Sequence, residues 1–354
     1  MRKKIQSEVL NISEKKGIKI WQVAAIVLIA ILASSGATWY VVSNSVNPGA
    51  KIDKVIFVMD WIMFGKHALF YPALDLGYYE DAGISCTIVR GFGSGDTAKR
   101  VDSGSVNFGF ADSTSVIQAI SKGANIKVIG MIVHEGANGI VTATDTGINS
   151  PKDLEGKTLG YATGDSGSIL FSAFATANGI DATKVQMTPL DSASKAPMLA
   201  SGKVDATTNT RPDFAFENAL NQAGRQVKYL WYSDNKLSLY GHGIITKSSL
   251  IKDNPDLVKR FVDATYKGVQ YAIQNQDKAI DMLLKYNPDL NRTTVTAELK
   301  WMIEMIGSSA NLQGTQIGVI DNGLMTSTIN VLTEAMKLSP VAVDNVYTNQ
   351  FVEG

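Results

Sequence analysis

Downstream of Lys51, short apolar runs alternate with amphipathic ones, and the alternation is played twice. VIFVM (55–59), CTIVR (86–90), VNFGFA (106–111) and IKVIGMIV (126–133) read as strands. They are separated by helical spacing over 67–79, 97–103 and 115–122. The rhythm restarts at Ser150-Pro151, a helix-start pair. Strands are then expected at 157–162, 184–190, 204–209 and 226–232, with helices at 167–178, 193–201 and 212–223. YGHGIITK (240–247) is a last strand. From Asn254-Pro255 the chain turns helical, over 255–275, 276–286, 293–305 and 320–337. Strands separated by helices imply right-handed βαβ units and mostly parallel sheets. Two such sets followed by a helical return predict an α/β protein of two lobes with a cleft between them. The similar strands GIVTA (139–143) and GIITK (243–247) are the expected crossovers of a two-stranded hinge. The first lobe is then 53–142 with 243–354, and the second 143–242.

Upstream lies an uncharged, almost wholly apolar run of 23 residues, Ile20 to Val42, long enough to cross a bilayer as a helix. Trp21 and Trp39-Tyr40 stand near its ends, and the nearby basic residues all precede it. The positive-inside rule places residues 1–19 in the cytoplasm as a basic tail and the body outside. Residues 20–42 are therefore expected to be a single-pass anchor. A cleaved signal ending near Ser35-Gly36-Ala37 is the competing reading, and 43–52 is a tether.

Residues 1–50 hold six basic and two acidic side chains, which leaves 27 basic and 31 acidic in the rest. A mildly acidic body argues against a nucleic-acid partner. The single cysteine, Cys86, excludes an intrachain disulfide and any multi-cysteine metal site. Catalytic signatures are lacking: Gly164-Asp165-Ser166-Gly167 is no G-x-S-x-G elbow, and His67, His134 and His242 have no metal-site spacing. No catalytic residue, metal or cofactor is expected.

Ligands of open α/β sheets sit beyond the carboxyl ends of the strands, where helix N-termini offer free N–H groups. Five such ends carry small or hydrogen-bonding residues. They are Asp60, Trp61 and then His67; Ser94 and Gly95; Asp112, Ser113 and Thr114; Thr163, Gly164, Asp165 and Ser166; and Asn209 with Arg211. Each hydroxyl or carboxylate could also be a plain helix cap. Trp61 offers a flat stacking face, and Arg211 is suited to an anionic group or to a nearby carboxylate.

These residues resemble the pyrimidine-precursor family of solute-binding proteins, which also includes alkanesulfonate, taurine and nitrate-type binders. The resemblance is carried by Asp60-Trp61, His67, Tyr71, Gly77-Tyr78-Tyr79 and Gly83-Ile84. It continues through Ser103 to Gly109, Asp153 to Gly160, Ser201 to Ala206, Asn254-Pro255 and Tyr347 to Phe351. It implies a type II periplasmic-binding-protein fold that closes on its ligand, with Trp61 and His67 at the pocket. The stretch Ile62-Met63-Phe64-Gly65-Lys66 is more apolar than the family's polar loop.

The expected function is capture of a small molecule, a thiamine-precursor pyrimidine favoured, for delivery to the permease of an ABC importer. A sulfonate, nitrate or other small anion is the alternative ligand. One relative synthesises the pyrimidine with a cysteine cluster, and this chain has no cysteine after Cys86. A sensory ectodomain would need a cytoplasmic output domain, and about 19 residues precede the apolar run.

Overall fold

The computed structural model describes residues 52–310 and 317–352. The apolar run at 20–42 and all of the tether but Ile52 lie outside them. Among the described residues, no helix is long and apolar enough to cross a membrane.

Among the described residues, ten strands form two five-stranded sheets. β1 (Asp53–Val58), β2 (Ile84–Val89), β3 (Phe108–Asp112), β4 (Ile126–Met131) and β10 (His242–Lys247) make the first, in the order β2-β1-β3-β10-β4. β5 (Asn138–Ala143), β6 (Thr158–Ala162), β7 (Gln186–Leu190), β8 (Ala206–Thr210) and β9 (Val227–Trp231) make the second, in the order β7-β6-β8-β5-β9. Each sheet is mixed, not all parallel. β1 runs parallel to β2 and β3, and β6 parallel to β7 and β8. β10 lies antiparallel between β3 and β4, and β5 antiparallel between β8 and β9. The reason is connectivity: β5 and β10 each enter from the opposite sheet rather than through a helix on their own.

That connectivity corrects the expected lobe boundary. Residues 139–143 and 243–247 are not a two-stranded link; each strand is interior to a sheet. The chain passes between sheets just before them, through 132–137 and 232–241, and these segments bond to each other where Gly136 N–H donates to the Leu239 carbonyl at 2.8 Å. Residues 138–142, expected in the first lobe, therefore belong to the second sheet.

The helix expected over 67–79 is broken into a 3-10 turn Gly65–Leu69 and two short helices, Tyr71–Asp75 and Tyr78–Asp81. Pro72 opens the first of these helices. Gly77, at φ 75°, stands in the left-handed region between them, where a side chain is disfavoured. The helices expected at 255–275 and 276–286 are present as Pro255–Gln274 and Gln276–Tyr286.

The core of the first sheet's outer face joins Phe57, Phe70 and Phe108 to Phe261 of helix Pro255–Gln274 and to Leu299 and Met302 of helix Arg292–Ala310. A second apolar cluster runs through both lobes. It includes Val58 and Met131 from one and Ile140, Leu159 and Phe174 from the other, together with Met325, Ile329 and Leu332 of helix Asn322–Met336.

Candidate ligand-binding cleft

The carboxyl ends of β1, β6 and β8 converge on one cleft, a space of about 380 Å³ with its open mouth included. Its wall is Asp60, Trp61, Phe64, Lys66, Gly93 and Ser94 from the first lobe. Asp165, Ser166, Gly167, Lys195, Asn209, Thr210 and Asp213 come from the second. The strand-end rule thus brings Asp60, Trp61, Ser94, Asp165, Ser166 and Asn209 together.

Asp60 is 4% exposed, at the end of β1. Its carboxylate takes Lys66 Nζ at 2.5 Å and His67 Nε2 at 2.9 Å, with His242 Nε2 3.2 Å away. Burial alone would raise its pKa. The Lys66 charge and the two histidine contacts outweigh burial and hold the carboxyl well below the usual range. His67 is fully buried, and burial outweighs its bond to Asp60, so its pKa is lowered. His67 therefore stands behind the wall as a support for Asp60, and the apolar Phe64 ring packs on it at 4.9 Å.

The second lobe repeats the device. Asp165 caps helix Ser166–Asn178 through Ser168 N–H at 2.6 Å. Its other oxygen takes Lys195 Nζ at 3.0 Å and the Thr208 hydroxyl at 2.7 Å. Burial pushes this carboxyl up, but Lys195 and the hydrogen bonds bring it below its ordinary value. The Lys195 ammonium also lies 5.1 Å from the centroid of Trp61, across the cleft.

Beneath the wall, a polar chain ties the lobes at the crossovers. Asp112 caps helix Ser113–Ser121 through Thr114 and accepts Asn138 Nδ2 at 2.9 Å. Asn138 Oδ1 takes the Ser166 hydroxyl at 2.5 Å and the Thr210 hydroxyl at 3.1 Å. Ser113 donates to the Gly241 carbonyl at 2.7 Å. Asp112, Ser113 and Thr114 are thus buried caps and links rather than cleft wall.

The lobes touch at the lip, where Gly95 N–H donates to the Gly164 carbonyl at 3.0 Å. Gly93 stands at φ 124°, and a Cβ there would lie 2.4 Å from that carbonyl oxygen, so both conformation and approach demand glycine. Thr163 is exposed beside it. Arg211 is turned away: its guanidinium stacks 4.4 Å from the Trp231 ring and donates to Ser233 at 2.8 Å.

Four further groups complete the site. Lys195 and Asp213 follow the ends of β7 and β8, and Asp213 closes the strand-end loop that begins at Asn209. Lys66 sits in an apolar stretch that gives no sign of its burial at 1% exposure. Glu298, on helix Arg292–Ala310, has no local signal at all. Its carboxyl accepts Gly65 N–H at 2.6 Å and Phe214 N–H at 3.3 Å. Burial, and then the neighbouring Asp213, push it up to about 8. Burial likewise raises Asp213.

The cleft's cations are spoken for, whereas a donor is free. Lys66 and Lys195 each pair with a carboxylate. Asn209 is 4% exposed, its Oδ1 accepts Thr210 N–H at 2.8 Å, and its buried Nδ2 has no partner among the described residues. A buried unpaired donor is costly unless a bound group satisfies it.

Comparison with known proteins agrees with this architecture. The chain is 26% identical over 322 residues to the riboflavin-binding protein RibY of Chloroflexus aurantiacus, covering 87% of this chain and 88% of that one. It is 22% identical to the formylaminopyrimidine-binding protein of Halalkalibacterium halodurans, covering 70% and 75%. It is 25% identical to the 4-amino-5-hydroxymethyl-2-methylpyrimidine phosphate synthase of Legionella pneumophila, covering 67% and 75%. The structure of the alkanesulfonate-binding protein SsuA from Xanthomonas axonopodis superposes with a TM-score of 0.64 at 15% identity, over 85% of this chain and all of that one. The fold is that of the periplasmic binding proteins. The NMT1/THI5-like family matches residues 65–279, more than half of the sequence, and the chain belongs to that family.

Proposed function

We propose that the protein is the extracytoplasmic solute-binding component of an ABC importer, and that it captures a small planar nitrogen heterocycle of the pyrimidine class between its lobes. The observation that carries the choice of ligand is the charge state of the wall. Both cleft lysines are neutralised by Asp60 and Asp165, and Arg211 faces elsewhere. A sulfonate or nitrate would find no unpaired cation there. An aminopyrimidine instead presents a ring nitrogen that can accept from Asn209 Nδ2, an exocyclic amine that can donate to Asp213, and a face for Trp61. Relatives named for binding a formylaminopyrimidine and riboflavin support the heterocycle class.

Capture rather than synthesis is favoured by the only cysteine. Cys86 lies in β2, outside the cleft wall, and burial pushes its thiol up to about 12, far from a reactive thiolate. The apolar run at 20–42 would hold the body beside its permease, which raises the local concentration of loaded protein.

The test is a thermal-shift screen of the full chain against an aminopyrimidine, riboflavin and an alkanesulfonate, followed by calorimetry. Ligand at 100 times its Kd should add about 2.7 kcal/mol. Trp61→Ala should weaken aminopyrimidine binding about tenfold, and Asn209→Ala by about 1–3 kcal/mol. Stabilisation by the sulfonate alone would reject the heterocycle, and turnover of the pyrimidine would reject capture.

A further inference from the structure

Helix Arg292–Ala310 belongs to the first lobe by its packing. Val295, Leu299, Met302 and Ile306 are buried with Phe57, Phe70 and Phe261. Thr294, Glu298 and Trp301, spaced four and then three apart, form a second strip along the same helix. Each member of this strip meets the second lobe. Thr294 Oγ1 accepts Asn218 Nδ2 at 3.3 Å, Glu298 Oε1 accepts Phe214 N–H at 3.3 Å, and Trp301 lies 5.5 Å from the Arg211 guanidinium. The other Glu298 oxygen holds Gly65 N–H at 2.6 Å in the first lobe. Gly65 is flanked by the cleft residues Phe64 and Lys66, and Phe214 follows the cleft residue Asp213. One buried carboxyl therefore fastens the two turns that carry opposite walls of the cleft.

We propose that this strip is a closure latch outside the ligand contacts, and that Glu298 is its positioning residue. The proposal rests on the reading of the protein as a two-lobed capture device. Opening the lobes would part Glu298 from Phe214 and return it to water. The charged groups bearing on it are Asp213 from the 211–214 turn and Lys66 from the 65–69 turn. His67 lies on that same turn, bonded to Asp60, and on the neighbouring helix Gln276–Tyr286 Asp281 is engaged by Arg292.

The sign of the pH effect follows from linkage. In the open state a hydrated glutamate titrates near about 4.3. Closed, Glu298 titrates higher, because burial and then Asp213 disfavour its charge by more than the Gly65 and Phe214 N–H groups and Lys66 favour it. Closing therefore takes up a proton between those values. The latch is strongest at low pH, weakens as pH rises towards 8, and levels off above, with affinity changing at most tenfold per pH unit. A neutral carboxyl keeps a lone pair on each oxygen for the two N–H groups. Glutamine does not, since its amide nitrogen would face one of them.

The experiment measures the inter-lobe distance by pulsed spin-label spectroscopy. It uses ligand-free full chain labelled at exposed Lys99 and Gln186 in a Cys86→Ser background, at pH 6 and pH 9. Calorimetry with 4-amino-5-hydroxymethyl-2-methylpyrimidine accompanies it. Wild type should be more open at pH 9 than at pH 6. Glu298→Gln should be open at both pH values, lose the pH dependence and bind at least fivefold more weakly, with the cleft wall unchanged. A Glu298→Gln protein with wild-type distances at both pH values, or with the same pH dependence, overturns the proposal. Should that variant fail to fold, Asn218→Ala decides: a longer ligand-free distance upholds the latch and an unchanged one removes it. Wild type that binds no pyrimidine would defeat the capture reading, while the distances would still judge the latch.

Discussion

Lys66 is the side chain with the most to lose. At 1% exposure its ammonium has traded water for one 2.5 Å contact with Asp60 and the faces of Phe64 and Phe110, at 4.9 and 5.5 Å. Removing one partner of such a pair strands the other charge in the interior. Lys66→Met should therefore cost about 3–5 kcal/mol, read from urea unfolding. Asp60→Asn with Lys66→Met should cost clearly less than the sum of the single changes, because the pair is one interaction. Additive losses would mean that the two groups are not coupled. Asp60 and Trp61 are legible in the sequence because a strand end fixes where they point. Lys66 is not, because the four residues before it are apolar and a lysine there reads as surface. Arg211 is legible in part: the nearby carboxylate is there, Asp234 at 3.9 Å, but the rings of Trp231 and Trp301 that receive its guanidinium are distant in sequence.

At the scale of elements, periodicity locates every strand to within about two residues at most ends, yet it is silent on direction. That β5 and β10 run antiparallel depends on which sheet each pairs with, and the pattern of a buried strand is the same either way. The strand-end loops carry a different kind of signal, because glycine there has a backbone cause. Gly93 packs on Gly164 where the lobes meet. Gly93→Ala should leave each sheet folded, with a far-ultraviolet dichroism spectrum like wild type. It should also hold the lip open and weaken ligand binding more than tenfold, since closure cannot bring a Cβ to 2.4 Å from a carbonyl oxygen. Wild-type affinity in this variant would show that the lip contact is not part of closure.

Two sheets invite the expectation of two independently folding lobes, but the packing argues otherwise. Each sheet takes its antiparallel strand from a chain that has just left the other, so neither completes without both crossovers. The second apolar cluster includes Val58, Met131 and Ile245 from the first sheet and Ile140, Leu159 and Leu230 from the second. Helix Asn322–Met336 adds Met325, Ile329 and Leu332 to it and packs against helices from both lobes. Asn138 spans the junction in polar form, bonding Asp112 on one side and Ser166 and Thr210 on the other. A shared core and interlocked strands couple the lobes thermodynamically, so the body should unfold in one calorimetric transition whose van't Hoff and calorimetric enthalpies agree. Asn138→Ala removes the polar junction while leaving the shared cluster intact. It should lower stability by about 1–3 kcal/mol, for the stranded partners, without splitting the transition. If wild type instead melts in two steps, the apolar cluster does not bind the lobes into one unit. If only Asn138→Ala does so, the coupling resides in that polar junction rather than in the core.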